Sequence, residues 1–435
     1  MRNTGSSGSQ TVKRLQFTSE FLGVVMNFRF AFSKRSWPYM AAIALPWLLQ
    51  QGQRCVRSLT HGAGLAVHES NFYRFFSEFK FNVDVFSRIL FQMILSTFKL
   101  RKILIVVDDT LCPKWGHHIF GTGSFFDHVA RPRPGFIWGH NWVVLAVIVE
   151  IFGAPVALPF WVKLYRPKSS CPPKEFRTRL QITEEALRHV KSWTSLEITV
   201  VADGAYNNHS LLSPLAELEI PLVSRLRHDA SLRKDPPKSR RGKRGRRPKY
   251  GAWIPRLPKL ARNSSGWQKL VVHIYGKEVT VKVKTFDAWW PKAGVKLRVV
   301  IVRDPEGKRK PCNLSSTDLS MSPKTIIEIF SKRWSIEQMF SDAKNELGLD
   351  TAEVRCPASV VRHAVIAFGF VTMVRLWAFS HLSRKKQPPT SFRRQLSLLR
   401  EEVIFETIFA SQAPKPGSRR NAEALASLLT QKVPA

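Results

Sequence analysis

Three stretches of the chain place ionisable side chains where chemistry can use them. The run ILIVV (residues 103–107) leads into Asp108, Asp109 and Thr110, and LEITVVA (196–202) leads into Asp203 and Gly204. Continuous apolar, largely β-branched runs of this kind mark strands buried on both faces. Ligand sites in open α/β sheets lie just past the carboxyl ends of such strands. The third stretch is FSKRWSIEQMFSDAK (330–344). On a helix, Arg333, Glu337 and Lys344 fall in one stripe, beside an apolar stripe of Ile329, Ile336, Phe340, Ala343 and Leu347. Gathered carboxylates can hold a hard cation through oxygen. A guanidinium grips phosphate bidentately, and an ammonium does so as a point charge. Each feature also has a plain structural alternative. An Asp after a strand is commonly a cap or turn residue, and Arg333–Glu337 fits an i,i+4 ion pair worth about 0.2–0.5 kcal/mol.

The surrounding pattern supplies elements to position these groups. Strands are predicted at 142–151, 156–165 and 221–225, with helices over 174–193 and 208–218. Three strands, a helix, a strand and a helix form the skeleton of an RNase H-like α/β domain. Period-2 segments at 269–275 and 278–285 predict a hairpin around Gly276-Lys277, and 297–302 predicts another strand. Ser322-Pro323 opens a long predicted helix, with Ser322 as N-cap and Pro323 at its first position. The expected division is a helical DNA-binding region over 1–100 and a core over 101–227. A basic arm and β-rich insertion follow over 228–320, then the signature helix over 321–354. C-terminal helices over 355–410 and a disordered tail over 411–435 complete the chain.

Charge narrows the partner. Among 435 residues, 68 Lys or Arg against 32 Asp or Glu leave a formal charge of +36, which calls for a polyanion. A hydrophobic content of 44% excludes a disordered basic tail. Residues 232–249 concentrate +9 of the charge, including Arg240, Arg241, Lys243, Arg244, Arg246 and Arg247. Such a run is solvated alone and suited to nucleic-acid phosphates when bound. Residues 54–79 read as helix, Gly-containing turn, helix, with Ser70 as capping candidate and Asn71 and Arg74 exposed near the start of the second helix. That is the placement of a DNA-reading helix-turn-helix, although an ordinary helical domain fits as well. Five scattered cysteines and a polar N-terminus suit a reducing cytosol. The apolar stretch 364–374 is too short for a bilayer and is expected in a core, with no membrane partner. His117, His118 and His140 lack cysteine partners at zinc spacing, and His140 is expected to make a structural hydrogen bond.

Phe330-(2)-Arg333-(3)-Glu337-(6)-Lys344 resembles the Tyr-(2)-Arg-(3)-Glu-(6)-Lys signature of bacterial insertion-sequence transposases of the DDE class. VVDDT with Lys114 and Gly116, VVADGAYNN (200–208) and WGHNWVVL (138–145) resemble other motifs of that superfamily, and the likeness spans about residues 50–380. The resemblance implies an RNase H-like catalytic core with a β insertion. It also implies cut-and-paste transposition by a metal-dependent endonuclease and strand transferase. The enzyme would act on double-stranded DNA, at terminal inverted repeats and at a target, and as a homodimer on paired ends. It would be cytoplasmic and nucleoid-associated. The implied triad is Asp109, Asp203 and Glu337, holding two Mg²⁺ (or Mn²⁺) ions, with Asp108 as the alternative first carboxylate. Arg333 and Lys344 would contact DNA phosphates. The signature Tyr is replaced by Phe330, which removes one hydroxyl contact. In related enzymes a Trp of the insertion stacks on a flipped base. Trp253, Trp267, Trp289 and Trp290 are available here, with core packing the favoured role for each. The rival readings are a domesticated, non-catalytic DNA-binding protein and a nuclease on the same fold.

Overall fold

The computed structural model describes residues 19–50, 55–62, 68–116, 118–127, 135–237, 248–307, 310–383 and 385–409. The described residues begin with five α-helices: α1 (Ser19–Met26), α2 (Trp37–Leu49), α3 (Val56–Gly62), α4 (Ser70–Ser77) and α5 (Val83–Phe98). Next come β1 (Lys102–Pro113), β2 (Gly123–Asp127), β3 (Gly135–Ile151) and β4 (Ala154–Tyr165). Then α6 (Arg179–Trp193), β5 (Glu197–Ala202), α7 (His209–Glu217) and β6 (Leu222–Arg225) follow. The next segment holds α8 (Leu257–Arg262), β7 (Gln268–Ile274), β8 (Lys277–Trp290), β9 (Val295–Arg303) and β10 (Cys312–Ser316). Four α-helices complete the described residues: α9 (Pro323–Lys332), α10 (Ser335–Leu347), α11 (Pro357–Leu382) and α12 (Phe392–Phe409).

Ten strands form one mixed sheet in the order β2-β3-β1-β5-β6-β10-β9-β8-β7, with β4 also paired to β3. β3 runs antiparallel to both β1 and β4, whereas β5 and β6 run parallel to β1. The succession β1, β3, β4, α6, β5, α7 matches the RNase H-like skeleton expected from the sequence. The β-rich insertion is no separate sheet: β10 pairs with β6 and carries β9, β8 and β7 outward as a continuation of the core sheet. The apolar alternation of these strands showed that they were strands. Their sharing the core sheet depends on a long-range pairing that local pattern does not encode.

Several boundaries differ from expectation. β1 does not end before the two Asp residues but runs through them to Pro113, held by antiparallel pairing with β3. β3 begins at Gly135 rather than 142, and α6 begins at Arg179 behind a Thr178/Gln181 capping box. The hairpin turns on Tyr275 and Gly276, both at positive φ (52° and 74°), so the tight turn sits one residue earlier than expected. Ser322 caps α9 as expected, accepting a hydrogen bond from the Thr325 N–H. The single long helix is instead two helices, broken at Arg333–Trp334.

The N-terminal helices share the core with the sheet. In α4, Phe72, Phe75 and Phe76 are buried, while Tyr73 and Arg74 face outward. Arg362 of α11 donates to the Phe75 and Phe76 carbonyls at 2.9 and 3.0 Å. α11 touches α5 so closely that a Cβ on Gly369 would lie 2.7 Å from the Phe86 ring. By length and composition α11 is apolar enough to cross a bilayer, but most of it is buried inside the fold. The expected second helix of the helix-turn-helix starts at Ser70, whose side chain does not cap it. Arg74 is paired with Glu78 at 2.9 Å and Asn71 is half-buried.

Candidate active site

The register of β1 and β5 sets the site. Their parallel pairing ends at Val107↔Ala202. Side chains alternate along strands, so the next residue on each, Asp108 and Asp203, projects to the face opposite Val107 and Ala202. Asp203 keeps an extended backbone and makes no capping hydrogen bond to the 3₁₀ turn that it precedes, Gly204–Tyr206. Thus Asp108 of β1 and Asp203, one residue past the end of β5, face the same side of the sheet.

Asp109 projects to the other face, where three donors hold it. Arg179 of α6 reaches its Oδ2 at 2.7 Å, Asn141 of β3 donates to the same oxygen at 3.0 Å, and Tyr206 donates to Oδ1 at 3.1 Å. Burial and the Asp109 charge push the Tyr206 phenol well up, so it stays protonated and donating. Nothing in the sequence pattern marked Arg179, Asn141 or Tyr206 as partners of this carboxylate.

On the Asp108 face the chain break between α9 and α10 brings in Arg333. Its Nη1 donates to Asp108 Oδ2 at 2.9 Å and its Nη2 to Glu337 Oε1 at 2.8 Å. The Arg333 and Asp108 side chains are 15% and 18% exposed, so this bridge is sheltered. The Phe330 ring lies 5.8 Å from the guanidinium carbon. At the break, the Arg333 and Trp334 amides bond three residues back, at 3.2 and 3.4 Å, tightening the turn. Burial pushes the Asp108 carboxyl up from 3.8 to about 7 against the pull of Arg333, and the Asp109 and Asp203 charges act in the same sense as burial.

Lys344, expected to meet a phosphate, donates to the Leu111 carbonyl of β1 at 2.5 Å. Lys114 is buried and donates to the Asp350 and Ala352 carbonyls at 2.8 and 3.2 Å, and Trp47 donates to the Leu347 carbonyl at 2.9 Å. A buried ion pair, Asp342–Arg375 at 3.1 Å, joins α10 to α11. These contacts set the axial position and rotation of α10 against β1, and hence where Glu337 lies. Asp342 went unnoticed in the sequence because an acidic residue at helical spacing reads as surface.

The remaining candidates are dispersed. His140 donates from Nε2 to the Phe120 carbonyl at 2.9 Å, and burial lowers its pKa to about 4. His118 is exposed, and His117 lies outside the described residues. Trp290 is buried, Trp289 donates to Asp235 at 2.9 Å, and Trp267 donates to the Asn263 carbonyl at 2.8 Å. Trp253 is 58% exposed and carries the Arg233 guanidinium 3.9 Å above its ring. Arg240, Arg241, Lys243, Arg244, Arg246 and Arg247 lie outside the described residues.

Among the described residues, no three His, Cys, Asp or Glu side chains form a ready group for a metal ion. The donor chemistry nevertheless suits one. Asp108, Asp203 and Glu337 offer hard oxygen ligands, and two of them already close on a positive charge, that of Arg333.

The sequence model of one family, DDE superfamily endonuclease, matches residues 27–286. The chain belongs to the DDE superfamily of endonucleases. The match covers both candidate first carboxylates and Asp203 of this DDE endonuclease and stops short of Glu337, whose placement rests on the geometry of α10. No curated protein matches the chain. Among solved structures it is similar to a piggyBac transposase synaptic complex with hairpin DNA. The TM-score is 0.44 at 9% identity, covering 96% of this chain and 82% of that one.

Proposed function

We propose that this DDE endonuclease is a transposase that cleaves DNA at the ends of a mobile element and joins the freed 3′ ends to target DNA. Asp108, Asp203 and Glu337 are its metal-binding carboxylates. The observation that carries this reading is the register of β1 and β5. It puts Asp108 and Asp203 side by side on the face where Arg333 links Asp108 to Glu337. Asp109, the first carboxylate that the family resemblance implied, is committed to Arg179, Asn141 and Tyr206 on the opposite face. We assign it to holding α6 against β1.

Two divalent ions, Mg²⁺ or Mn²⁺, would activate the attacking oxygen and stabilise the leaving one. The chain's own residues do the rest. The three carboxylates would hold those ions on their shared face. Arg333 takes a phosphate oxygen pair bidentately. Lys344, through the Leu111 carbonyl, keeps β1 and α10 in register and is a positioning residue more than a phosphate ligand. The basic arm and the outward Arg74 add phosphate contacts along the duplex. Cutting and joining two ends calls for two active sites, hence a homodimer on paired ends. The scattered cysteines suit the bacterial cytoplasm, at the nucleoid.

The test is incubation with Mg²⁺ and duplexes carrying candidate element ends, comparing the parent with Asp108→Asn, Asp109→Asn and Glu337→Gln. End cleavage and 3′ joining lost in Asp108→Asn and Glu337→Gln, and kept in Asp109→Asn, support the reading. Cleavage without joining in the parent makes the protein a nuclease on this fold. Full activity in Glu337→Gln refutes the site.

A further inference from the structure

Arg333 presents two of its N–H groups to Asp108 and Glu337 at 2.9 and 2.8 Å, in a sheltered position beside the Phe330 ring. Asp108 comes from the central strand and Glu337 from α10, so the guanidinium bridges two carboxylates from distant parts of the chain. A divalent ion would compete with the guanidinium for Asp108 Oδ2 and Glu337 Oε1, and a DNA phosphate would compete with those two carboxylates for the guanidinium. Neither can be accommodated fully while the bridge stands.

We propose that Arg333 is a tethered counter-ion of the carboxylate cluster, held on Asp108 and Glu337 until a DNA phosphate draws it away, so that DNA binding and divalent-ion binding are positively coupled. This rests on the reading of Asp108, Asp203 and Glu337 as metal ligands. One further feature supports it. Arg333 sits at the α9–α10 junction, where the backbone keeps helical dihedrals but is held by three-residue hydrogen bonds, and this placement lets one guanidinium reach both α10 and β1. Linkage makes the coupling reciprocal: whatever factor DNA contributes to ion affinity, the ion contributes to DNA affinity.

The experiment is calorimetric titration of the full chain with Mn²⁺, with and without a duplex oligonucleotide, for the parent, Arg333→Gln, Arg333→Lys and Glu337→Gln. Without DNA, Arg333→Gln is expected to bind Mn²⁺ about tenfold more tightly than the parent, because a competing positive charge has been removed from a partly screened site. Arg333→Lys keeps the charge but cannot fork across both carboxylates, so it falls between the two and serves if the Gln variant does not fold. DNA should tighten Mn²⁺ binding markedly in the parent and much less in Arg333→Gln. Unchanged Mn²⁺ affinity in both Arg333 variants, with binding lost in Glu337→Gln, overturns the counter-ion role and leaves the site standing. Parental Mn²⁺ binding in Glu337→Gln overturns the site itself.

Discussion

Asp108 and Asp203 each lie one residue beyond the last parallel pair of β1 and β5, Val107↔Ala202, and therefore face the same side of the sheet. The consecutive Asp108 and Asp109, by contrast, face opposite sides. Asp108→Asn should lower Mg²⁺-dependent DNA cleavage by more than about 100-fold, since losing a direct ligand exceeds the 10–100-fold typical of an outer partner. Asp109→Asn should cost less than about tenfold in rate. The reverse ranking in single-turnover cleavage would return the first ligand to Asp109.

Asp108 also predicts a pH effect on the metal-free protein. Its pKa rises from 3.8 unfolded to about 7 folded, chiefly through burial, so the native state holds a proton that the unfolded state has released. Stability contributed by this group therefore falls as pH climbs from about 4 to about 7 and levels off above that. Melting curves without divalent ions should show this slope in the parent, and Asp108→Asn should flatten it. An identical slope in both proteins would remove Asp108 as its source.

The Asp342–Arg375 pair has side chains only 10% and 5% exposed. Arg375→Met leaves a buried carboxylate without its cation and should cost about 3–5 kcal/mol. Urea unfolding measures this directly. A loss below about 1 kcal/mol would be that of an exposed pair and would contradict the burial.

Gly369 is needed for the approach of α11 to α5. A Cβ there would come within 2.7 Å of the Phe86 ring, so Gly369→Ala should destabilise by about 1–3 kcal/mol through overpacking. Phe86→Leu in the same chain should recover part of that loss. Additive losses in the double variant would mean that the two positions do not clash.

Neutralising Arg240, Arg241, Lys243 and Arg244 should weaken duplex binding and flatten its salt dependence by up to about 0.9 in log–log slope per lost phosphate contact. Filter binding from low to moderate salt reads the slope. An unchanged slope would take the arm off the DNA.

Much of the architecture was legible because it is written in local pattern. ILIVV and LEITVVA read as buried strands and are β1 and β5, and Ser322-Pro323 reads as a helix start and caps α9. The composition alone pointed to a polyanion, and the ordered acidic motifs placed Asp203 and Glu337 among the candidates. Strand length was less legible. β1 continues past its apolar run because β3 pairs with it, and the pairing partner is remote in sequence.

The sequence by itself determined which residue types follow the apolar runs of the central strands and lie on the α9–α10 segment, because periodicity and capping act over a few residues. Only the tertiary structure decided which of two adjacent Asp side chains faces α10. Strand alternation sends Asp108 and Asp109 to opposite faces, and the packing side of α10 selects between them. The same packing turned an Arg333–Glu337 pair, plain on an isolated helix, into a bridge to Asp108, and sent Lys344 to a carbonyl of β1. Those contacts join residues more than two hundred positions apart, a range over which no local pattern carries information.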